Sequence, residues 1–527
     1  MQKSDNNNDK NAMNDLILAI DNGTQSVRVL LFDLQGNVVA KSKVELEAYF
    51  SNSPGWAEQE PEYYWASLCR ACHQLWAQND IDKSRIKGVT LTTQRGTYVC
   101  VDEHGQALRP AIVWLDQRRA ETTDPIGGLW GPLAAVTGLK GLINYFRSKC
   151  YSRWISQFEP AIWEKTEHFL LLSGWHTLKL TGQYRDSIGG MVGYLPFNYK
   201  KQDWAPDWDW SWKATCLKRE QLPELVKPGG ILGEITPEAA AATGIPEGLP
   251  LIAAGADKAC EVIGSGCFEE DTGCLSYGTT ATINVVHDKF REPQFLVPPW
   301  PAAVPDAWNS EFMVYRGYWM VSWFKKQFGH HEVSVAEREG MLPEELFEDL
   351  IEEAPPGSMG LMLQPYWSPG LKTQEAKGGI IGFGDVHHRA HVYRAIVEGL
   401  AYALREGKEK LERKGRIKLS KLVVSGGGSQ SDGALQLTAD IFNMPVIRPH
   451  TYETSGLGAA INAAVGLGYY PSYGVAIKAM TRPERTFQPN PLNAELYQRL
   501  YKEVYLKMYK QLQPLYRKIR DITGYPE

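Results

Sequence analysis

The first 45 residues alternate between apolar and polar segments in a way that predicts three consecutive strands. An apolar run at residues 16–20 (LILAI) is followed by the polar turn DNGTQS, a second apolar run at 27–32, the polar turn DLQGN and a third strand from Val38. Short apolar runs bounded by Gly, Asn and Asp are typical of strands joined by tight turns. The segment is therefore predicted to be a β-meander, and its first turn has the size of a phosphate-binding loop.

A similar unit recurs near the middle of the chain. The segment TGCLSYGTTATINVV at 272–286 predicts two strands on either side of the turn Gly278-Thr279-Thr280. Two strand–turn–strand units separated by about 250 residues indicate an internal duplication. We therefore expect two related halves that face one cleft.

Helix-like patterns accompany these strands. The segment 392–412 has apolar residues three or four positions apart, and the strand-like KLVVS at 421–425 precedes the helix-like segment 431–442. Strands and helices mixed within each half predict an α/β fold. Leu496, Leu500 and Val504 recur at every fourth position, which predicts a closing amphipathic helix whose tyrosines serve packing. The segments 295–308 and 354–370 are expected to be loops.

Length, composition and charge exclude several classes of protein. A chain of 527 residues, 43% hydrophobic and 22% charged, is expected to form two globular domains. A net charge of -5 without a basic stripe argues against nucleic acid as a partner. The longest apolar stretches are far shorter than the roughly 20 residues that cross a membrane. Residues 1–15 are polar and Asn-rich, and we expect them to be a disordered tail rather than a signal peptide.

The cysteines favour a reduced, cytoplasmic protein. There are eight, without the density of a secreted disulfide scaffold. Cys69 and Cys72 form a CxxC, but the surrounding SLCRACHQLW is typical of an amphipathic helix, and a lone CxxC is a weak sign of metal or redox chemistry. We therefore expect these two side chains to pack.

Residues 21–28 (DNGTQSVR) combine the groups that a nucleoside triphosphate needs. Asp21 offers a carboxylate for hydrated Mg²⁺, Thr24 and Ser26 offer hydroxyls, and Arg28 offers a cation for phosphate oxygens. An ordinary hairpin is the competing interpretation, because DNG alone is a good turn signal. The sequence contains no GxxxxGK[ST], so a P-loop fold is not expected.

Two further turns suit phosphate or adenine. The turn at Gly278 and Thr279 repeats the logic of the first turn, so that two loops can approach one triphosphate. The segment SGGGSQS at 425–431 lies between a strand and a helix, where glycines permit close approach and a helix N-terminus favours anions. Each match alone is equally consistent with a tight structural turn.

An acidic residue follows the apolar strand LPLIAA at 249–254. In the segment GADKACEVIG, Asp257 begins a helix of small residues. It could serve only as a helix N-cap. It could also accept the proton of an attacking hydroxyl, as phosphoryl transfer often requires.

Together, in the order DxGTxSxR, GxDxxxxxxG, strand–GTT–strand and GGGxxS, these motifs resemble the FGGY family of carbohydrate kinases. The resemblance runs from Leu16 to Tyr470 and includes AIVWLDQRR at 111–119, HVYRAIVEGLAYALR at 391–405 and SGLGAAINAAVGLG at 455–468. It implies two actin-like ribonuclease-H-type α/β domains of the ASKHA superfamily around a central cleft. Residues 16–265 would bind substrate and phosphate, and residues 266–527 would bind the nucleotide.

The resemblance also implies a role for each matching residue. Asp257 falls on the catalytic base of the family, and Asp21 on the carboxylate that helps to hold Mg²⁺. The residues implied to bind ATP are Gly23, Thr24, Gln25, Ser26, Arg28, Gly278, Thr279, Gly427, Gly428 and Ser431. The residues implied to bind substrate are Gln94, Arg95, Trp114, Asp116, Tyr145 (after Thr137-Gly138-Leu139) and Lys258.

Two departures from the family bear on the substrate. Glycerol kinases have Gln-Arg-Glu-Thr where this chain has Gln94-Arg95-Gly96-Thr97, and xylulokinases have Gln-Met-His-Gly. Without the carboxylate at Gly96, glycerol is not the expected substrate. After the base, glycerol kinases carry Gln and xylulokinases usually Asn, whereas this chain has Lys258. That cation either lies by the substrate, where it would suit a carboxylate, a phosphate or a ketose oxygen, or pairs with Glu261 one helical turn on.

The resemblance thus implies ATP-dependent phosphorylation of a hydroxyl of a small sugar or polyol. The alternative is a sensor that binds sugar and ATP on the same fold without turnover. Members of the family differ in oligomeric state, so a homodimer is left open.

Overall fold

The protein was analysed as a computed structural model that describes residues 14–126, 130–136, 138–293, 297–340, 343–367 and 375–525. The strands of its first half are β1 (Leu16–Asn22), β2 (Ser26–Asp33), β3 (Val38–Glu45), β4 (Glu58–Gln59), β5 (Ile86–Thr93), β6 (Tyr98–Val101), β7 (Ala111–Ile112), β8 (His168–Leu171), β9 (Arg185–Ser187), β10 (Phe197–Asn198), β11 (Asp203–Trp204), β12 (Glu224–Val226), β13 (Ile231–Glu234) and β14 (Pro250–Ala253). Those of its second half are β15 (Thr272–Tyr277), β16 (Ala281–His287), β17 (Trp300–Pro301), β18 (Trp308–Val314), β19 (Met362–Gln364), β20 (Gly379–Ile381), β21 (Lys421–Ser425), β22 (Val446–Pro449) and β23 (Pro483–Phe487).

Helices flank the sheets in both halves. In the first half they are α1 (Pro61–Gln78), α2 (Trp130–Val136), α3 (Lys140–Lys149), α4 (Tyr151–Phe158), α5 (Pro160–Trp163), α6 (Leu172–Thr181), α7 (Trp210–Thr215), α8 (Pro237–Thr243) and α9 (Asp257–Gly264). In the second half they are α10 (Trp319–Phe328), α11 (His330–Glu339), α12 (Pro343–Glu353), α13 (Arg389–Gly415), α14 (Asp432–Phe442), α15 (Thr454–Gly466), α16 (Tyr473–Met480), α17 (Pro491–Arg499) and α18 (Leu506–Thr523). Short 3₁₀ turns occupy Lys83–Arg85, Ile188–Gly190, Arg219–Gln221, Ser358–Gly360 and Gly427–Gln430, and a π-helical turn occupies Leu500–Tyr505.

The two main sheets repeat one topology, which confirms the predicted duplication. The first has the order β3-β2-β1-β5-β14-β13, and the second contains the order β18-β16-β15-β21-β22-β23, with β17 added at its edge. In each sheet two antiparallel pairs are followed by two parallel pairs and a final antiparallel pair. The predicted boundary at residues 265 and 266 falls between α9 and β15, and it stays a prediction.

The apolar run of β1 is explained by burial on both of its faces. Leu16, Leu18 and Ile20 point into the core of the first half, whereas Ile17 and Ala19 point into a second apolar cluster on the opposite face. Successive side chains of a strand alternate between faces, so a strand covered on both sides must be apolar at every position. All seven residues of β1 are accordingly buried.

The second cluster joins the two halves through α9 and α15. It contains residues of β1, of β15 and of both helices. The helices cross at small residues: a Cβ on Gly458 of α15 would lie 1.9 Å from the carbonyl oxygen of Cys260 in α9, and a Cβ on Gly264 would lie 1.9 Å from that of Thr454. Glycine is required at this crossing because backbone meets backbone.

Gly458→Ala is therefore expected to destabilise the fold. The added methyl must push α15 away from α9, and overpacking of this kind typically costs about 1–3 kcal/mol. Gly141→Ala in α3 is the matched control, because its Cβ meets no atom within 4 Å. Denaturant unfolding should show a lower free energy of unfolding for Gly458→Ala alone; equal curves for the two variants would contradict the packing argument.

Several sequence predictions need correction. Of the predicted tail, residues 1–13 lie outside the described residues, but Asp15 is fixed, because Tyr469 donates a hydrogen bond to its carboxylate at 2.7 Å. The segments expected to be loops contain β17 and β19, and residues 295–296 and 368–370 lie outside the described residues.

The C-terminal helix also differs from its prediction. It is interrupted by the π-helical turn, and the fully buried face carries Tyr497, Tyr501 and Tyr505 instead of the leucine series, since Leu496 is exposed. The tyrosines pack, as predicted. Within the described residues, the structure contains no helix with both the length and the apolar character needed to cross a bilayer.

Candidate active site

The candidate site forms where the carboxyl ends of parallel strands meet, between the two halves. β1, β5 and β14 run parallel and end at Asn22, Thr93 and Ala253. Groups that follow parallel strands gather at one edge of the sheet. The predicted segments 21–28, 94–97 and 257–258 are thereby brought together, as the sequence pattern required.

Asp257 is the first residue of α9 and does not cap it. Ala256 occupies the N-cap position, and Asp257 Oδ1 accepts a hydrogen bond from the Lys258 backbone N–H at 2.7 Å. Arg95 Nε lies 4.0 Å from the same oxygen, and the side chain of Asp257 is 26% exposed. Burial raises the pKa of this carboxyl, against the opposing charges of Arg95 and Lys258. Asp257 is therefore not the N-cap of α9. Its carboxylate is exposed enough to contact a further group.

Asp21 lies at the end of β1, opposite Arg28 of β2. Arg28 donates to Asp21 Oδ2 at 3.2 Å, and its Nε lies 3.7 Å from Glu453 of the other half. Burial raises the pKa of Asp21 to about 6, because Arg28 only partly offsets the loss of water. Asp257 and Glu453 add negative charge nearby. The negative charge of the Asp21 carboxylate is therefore only partly balanced by positive charge nearby.

A divalent cation bound at Asp21 would balance this negative charge. No group of three or more His, Cys, Asp or Glu side chains in the described parts of the chain is arranged to hold a metal. Mg²⁺ does not need such a cage, because it is usually held by one or two carboxylates together with substrate phosphates and water. The single carboxylate of Asp21 is compatible with this mode of binding, and its role as a Mg²⁺ ligand stays a prediction.

The turn after β1 has the geometry of a phosphate-sized loop. Gly23 N–H donates to the carbonyl of Ser26 at 3.0 Å, which closes the turn. Gln25 is exposed, whereas Ser26 is buried. Trp114, predicted to bind substrate, donates its indole N–H to Thr24 Oγ1 at 3.0 Å. The tryptophan therefore supports the turn, and its contact with substrate stays a prediction.

The two predicted loops of the second half lie against each other. Gly278 and Thr279 accept hydrogen bonds from the backbone of residues 317–319, and Tyr318 stacks on Tyr277 at 4.4 Å between ring centroids. A Cβ on Gly428 would lie 2.5 Å from the Tyr318 ring, and Gly427 faces open space. The two loops therefore form one surface.

Ser431 has a structural role in addition to its predicted place near adenosine. Its hydroxyl oxygen accepts the Ala434 N–H at 3.0 Å as the N-cap of α14 and donates to Glu348 at 2.6 Å. Both hydrogen-bonding directions of the hydroxyl are therefore used within the protein.

Arg95 pairs with a carboxylate that the sequence did not predict. Glu311, on β18 of the second half, accepts two hydrogen bonds from the guanidinium at 3.0 and 3.1 Å, and its side chain is 5% exposed. This two-pronged pair crosses from one half to the other beside Asp257. Gln94 lies next to it, donates to Tyr64 at 3.2 Å and leaves its buried Oε1 without a partner. That oxygen is an unpartnered acceptor buried beside the site.

Asp116 is not brought to the site surface. Its carboxylate accepts the N–H of Ala57 at 2.7 Å and a two-pronged pair from Arg118, and its side chain is fully buried. Neither oxygen faces solvent in this structure, so it offers no support for the predicted contact with substrate, which stays untested. In the sequence Trp114-Leu115-Asp116, the aspartate forms a buried ion pair with Arg118, and this pair fixes the segment after Trp114.

Tyr145 belongs to a group of tyrosines near Arg95. It interacts with Tyr194, whose pKa is raised mainly by burial, and with Tyr315, which in turn interacts with Glu311 and Arg95. Its contact with substrate stays a prediction. Thr137, which preceded it in the predicted alignment, lies outside the described residues.

Lys258 pairs with Glu261, one of the two alternatives that the sequence left open. Its Nζ donates to Glu261 Oε2 at 2.6 Å and to Ser276 Oγ at 2.6 Å. Sequence reasoning missed the second partner and also Glu311, Glu453 and Tyr315. All four lie in the second half. Ser276 is 18 positions from Lys258, whereas Glu311 is 216 positions from Arg95. Of these, only Glu311 carried a local signal, as a charged residue in a strand of otherwise uncharged residues.

Comparison with known proteins decides the family. Residues 16–264 match the N-terminal domain of the FGGY family of carbohydrate kinases, and residues 273–467 match its C-terminal domain. The chain belongs to this family. It is a carbohydrate kinase with two actin-like α/β domains.

Relatives agree along nearly the whole chain. An uncharacterized sugar kinase, YgcE, from Escherichia coli is 30% identical over 514 residues, which cover 96% of each protein. A xylulose kinase from Staphylococcus epidermidis is 27% identical over 518 residues, or 97% of this chain and 99% of that one. The crystal structure of gluconate kinase from Lactobacillus acidophilus matches with a TM-score of 0.79 at 20% identity, covering 96% of this chain and 99% of that one. That last similarity concerns the fold.

Proposed function

We propose that this FGGY kinase transfers the γ-phosphoryl group of ATP to a hydroxyl of a neutral sugar or polyol, with Asp257 as the general base. The observation that carries the proposal is the position of Asp257. Its partly exposed carboxylate lies 4.0 Å from Arg95, which pairs with Glu311, and it is close enough to Asp21 to interact with it electrostatically. A proton acceptor between a phosphate-type turn and a polar pocket suits attack of a hydroxyl on phosphorus.

In this reaction Asp257 takes the proton of the substrate hydroxyl. The hydroxyl oxygen forms a bond to the γ-phosphorus while the bond to the bridging oxygen of ADP breaks, and ADP leaves. Arg28 and the turns at Gly23 and Gly278 would offset charge on the phosphoryl oxygens. Asp21 would hold Mg²⁺, which when bound neutralises phosphate charge.

The charges around Asp257 favour a neutral substrate over a sugar acid. Arg95 is paired to Glu311 and Lys258 to Glu261, so each of these cations already has a carboxylate partner. A substrate carboxylate would meet the carboxylates of Asp257 and Glu311 beside an arginine that is already paired, and like charges in one pocket repel strongly. A hydroxyl, in contrast, can donate to the partly exposed carboxylate of Asp257 without adding a negative charge.

Release of ADP against a panel of matched substrates tests this proposal. The panel pairs aldoses with their aldonic acids and with the corresponding polyols and ketoses, so that charge changes at constant carbon number. We expect turnover with neutral members and kcat/KM lower by at least about 10²-fold for the acids. Turnover restricted to acids would refute the neutral substrate. Stabilisation of the protein by sugar without ADP release would instead support the sensor.

A further inference from the structure

The ammonium group of Lys258 is held at one position with one donor to spare. Its two hydrogen bonds, to Glu261 and Ser276, are both 2.6 Å long, and the side chain is 20% exposed. An ammonium has three N–H donors. Among the described residues no partner occupies the third.

The free donor lies beside the turn at Gly278. A Cβ built on that glycine would be 4.0 Å from Lys258 Nζ, and Ser276 precedes the turn by two residues. Lys258 also follows Asp257 directly in the chain. The ammonium therefore lies beside the turn proposed for phosphates and belongs to the residue that directly follows the proposed base.

Glu261 holds the ammonium group of Lys258 in place. Its carboxylate is 5% exposed, and its second oxygen accepts a hydrogen bond from Ser425 Oγ at 2.5 Å. Ser425 ends β21 immediately before the glycines at 426–428. The lysine stem is flexible on its own, so this buried carboxylate keeps the ammonium in place and ties it to both loops of the second half.

We propose that Lys258 is a catalytic cation that contacts the γ-phosphoryl oxygens during transfer and that Glu261 is its positioning residue. This inference rests on the proposed phosphoryl transfer from ATP. A fixed cation beside a phosphoryl group stabilises the charge that spreads over its oxygens in the transition state. We assign it no role in recognising the sugar, because two of its donors bind Glu261 and Ser276 and the ammonium lies beside the turn at Gly278.

Lys258→Met tests the inference because it should change kcat and the KM for sugar by very different factors. We expect kcat to fall about 10²-fold, as for loss of one preorganised donor, with the KM for sugar changed less than about threefold. Binding of a non-hydrolysable ATP analogue should weaken while binding of ADP does not. Lys227→Met, which removes an exposed pair with Asp306, is the matched control and should change neither constant. A tenfold rise in the sugar KM at constant kcat would refute the inference, and so would wild-type kinetics.

A second variant separates catalysis from folding. If Lys258→Met leaves Glu261 buried without a partner and the protein unfolds, the double variant Lys258→Met/Glu261→Met replaces the buried pair by apolar side chains and should fold. It should show the same loss of kcat. Recovery of kcat in the double variant would make the pair purely structural. The comparison of ATP analogue with ADP is a binding measurement, so it tests Lys258 even if no sugar tried supports turnover, an outcome that would count only against the proposed function.

Discussion

Asp257→Asn is expected to lower kcat about 10³-fold, because general bases typically contribute 10²- to 10⁴-fold to a rate. Asparagine keeps the shape of the side chain and can accept the Lys258 N–H that Asp257 Oδ1 now accepts at 2.7 Å. It cannot take up a proton at neutral pH. Binding of ADP should change less than about threefold, since only the transferred group meets the base. Steady-state ADP release and ADP titration measure the two quantities.

Glu238→Gln is the matched control for this loss. Glu238 is an exposed acidic residue in the first turn of α8, as Asp257 is in the first turn of α9. Both substitutions remove one negative charge from a helix N-terminus, so the helix dipole is affected alike. The control should retain the wild-type kcat. A kcat within about tenfold of wild type for Asp257→Asn would remove Asp257 from the role of base.

The pH profile of kcat/KM provides a second test of Asp257 as the base. Burial raises the pKa of Asp257 above the ordinary range of an aspartate, and Arg95 and Lys258 pull it back. A base acts only when ionised, so the rate should fall as the pH drops through this raised pKa and level off above it. Asp257→Asn should abolish this acid limb in the residual activity.

The fold could be predicted from the sequence because its signals are local. Apolar runs such as that of β1 and the polar turns that bound them report strands within a few residues, and the repeat of this unit indicated the two matching sheets. The π-helical turn at Leu500–Tyr505 could not be predicted. Leucine and tyrosine series alternate there at the same spacing, and only packing against the second half selects the tyrosines for the core.

The site could be predicted in part, for the same physical reason. Asp21 lies at the end of a parallel strand, and Arg95 and Asp257 lie just beyond two others, so topology alone brings them together. Partners across the halves could not be predicted, because Glu311 meets Arg95 over a separation of 216 positions. Asp116 shows the converse: a carboxylate in a matching pattern is withdrawn from the site by Arg118 only two residues away.

Arg95→Met is expected to reduce kcat/KM for the sugar about 10³-fold, because a site built to bind hydroxyls discriminates strongly once a polar partner is missing. The variant also leaves Glu311, 5% exposed, without its cation beside Asp257. Two carboxylates in one pocket raise each other's pKa. The acid limb of the pH profile should therefore move to higher pH, which loss of packing alone would not cause.

Measurements of stability distinguish the structural role of the Arg95–Glu311 pair from its role in substrate binding. Breaking a buried ion pair by removing one partner costs about 3–5 kcal/mol, whereas replacing both partners by apolar side chains is often neutral. Arg95→Met should therefore lower the melting temperature, and Arg95→Met/Glu311→Met should restore it without restoring kcat/KM. Activity that returned together with stability would show that the pair only joins the two halves. Activity that stays low in a stable double variant would leave substrate binding as the reason that a charged pair is buried beside the base.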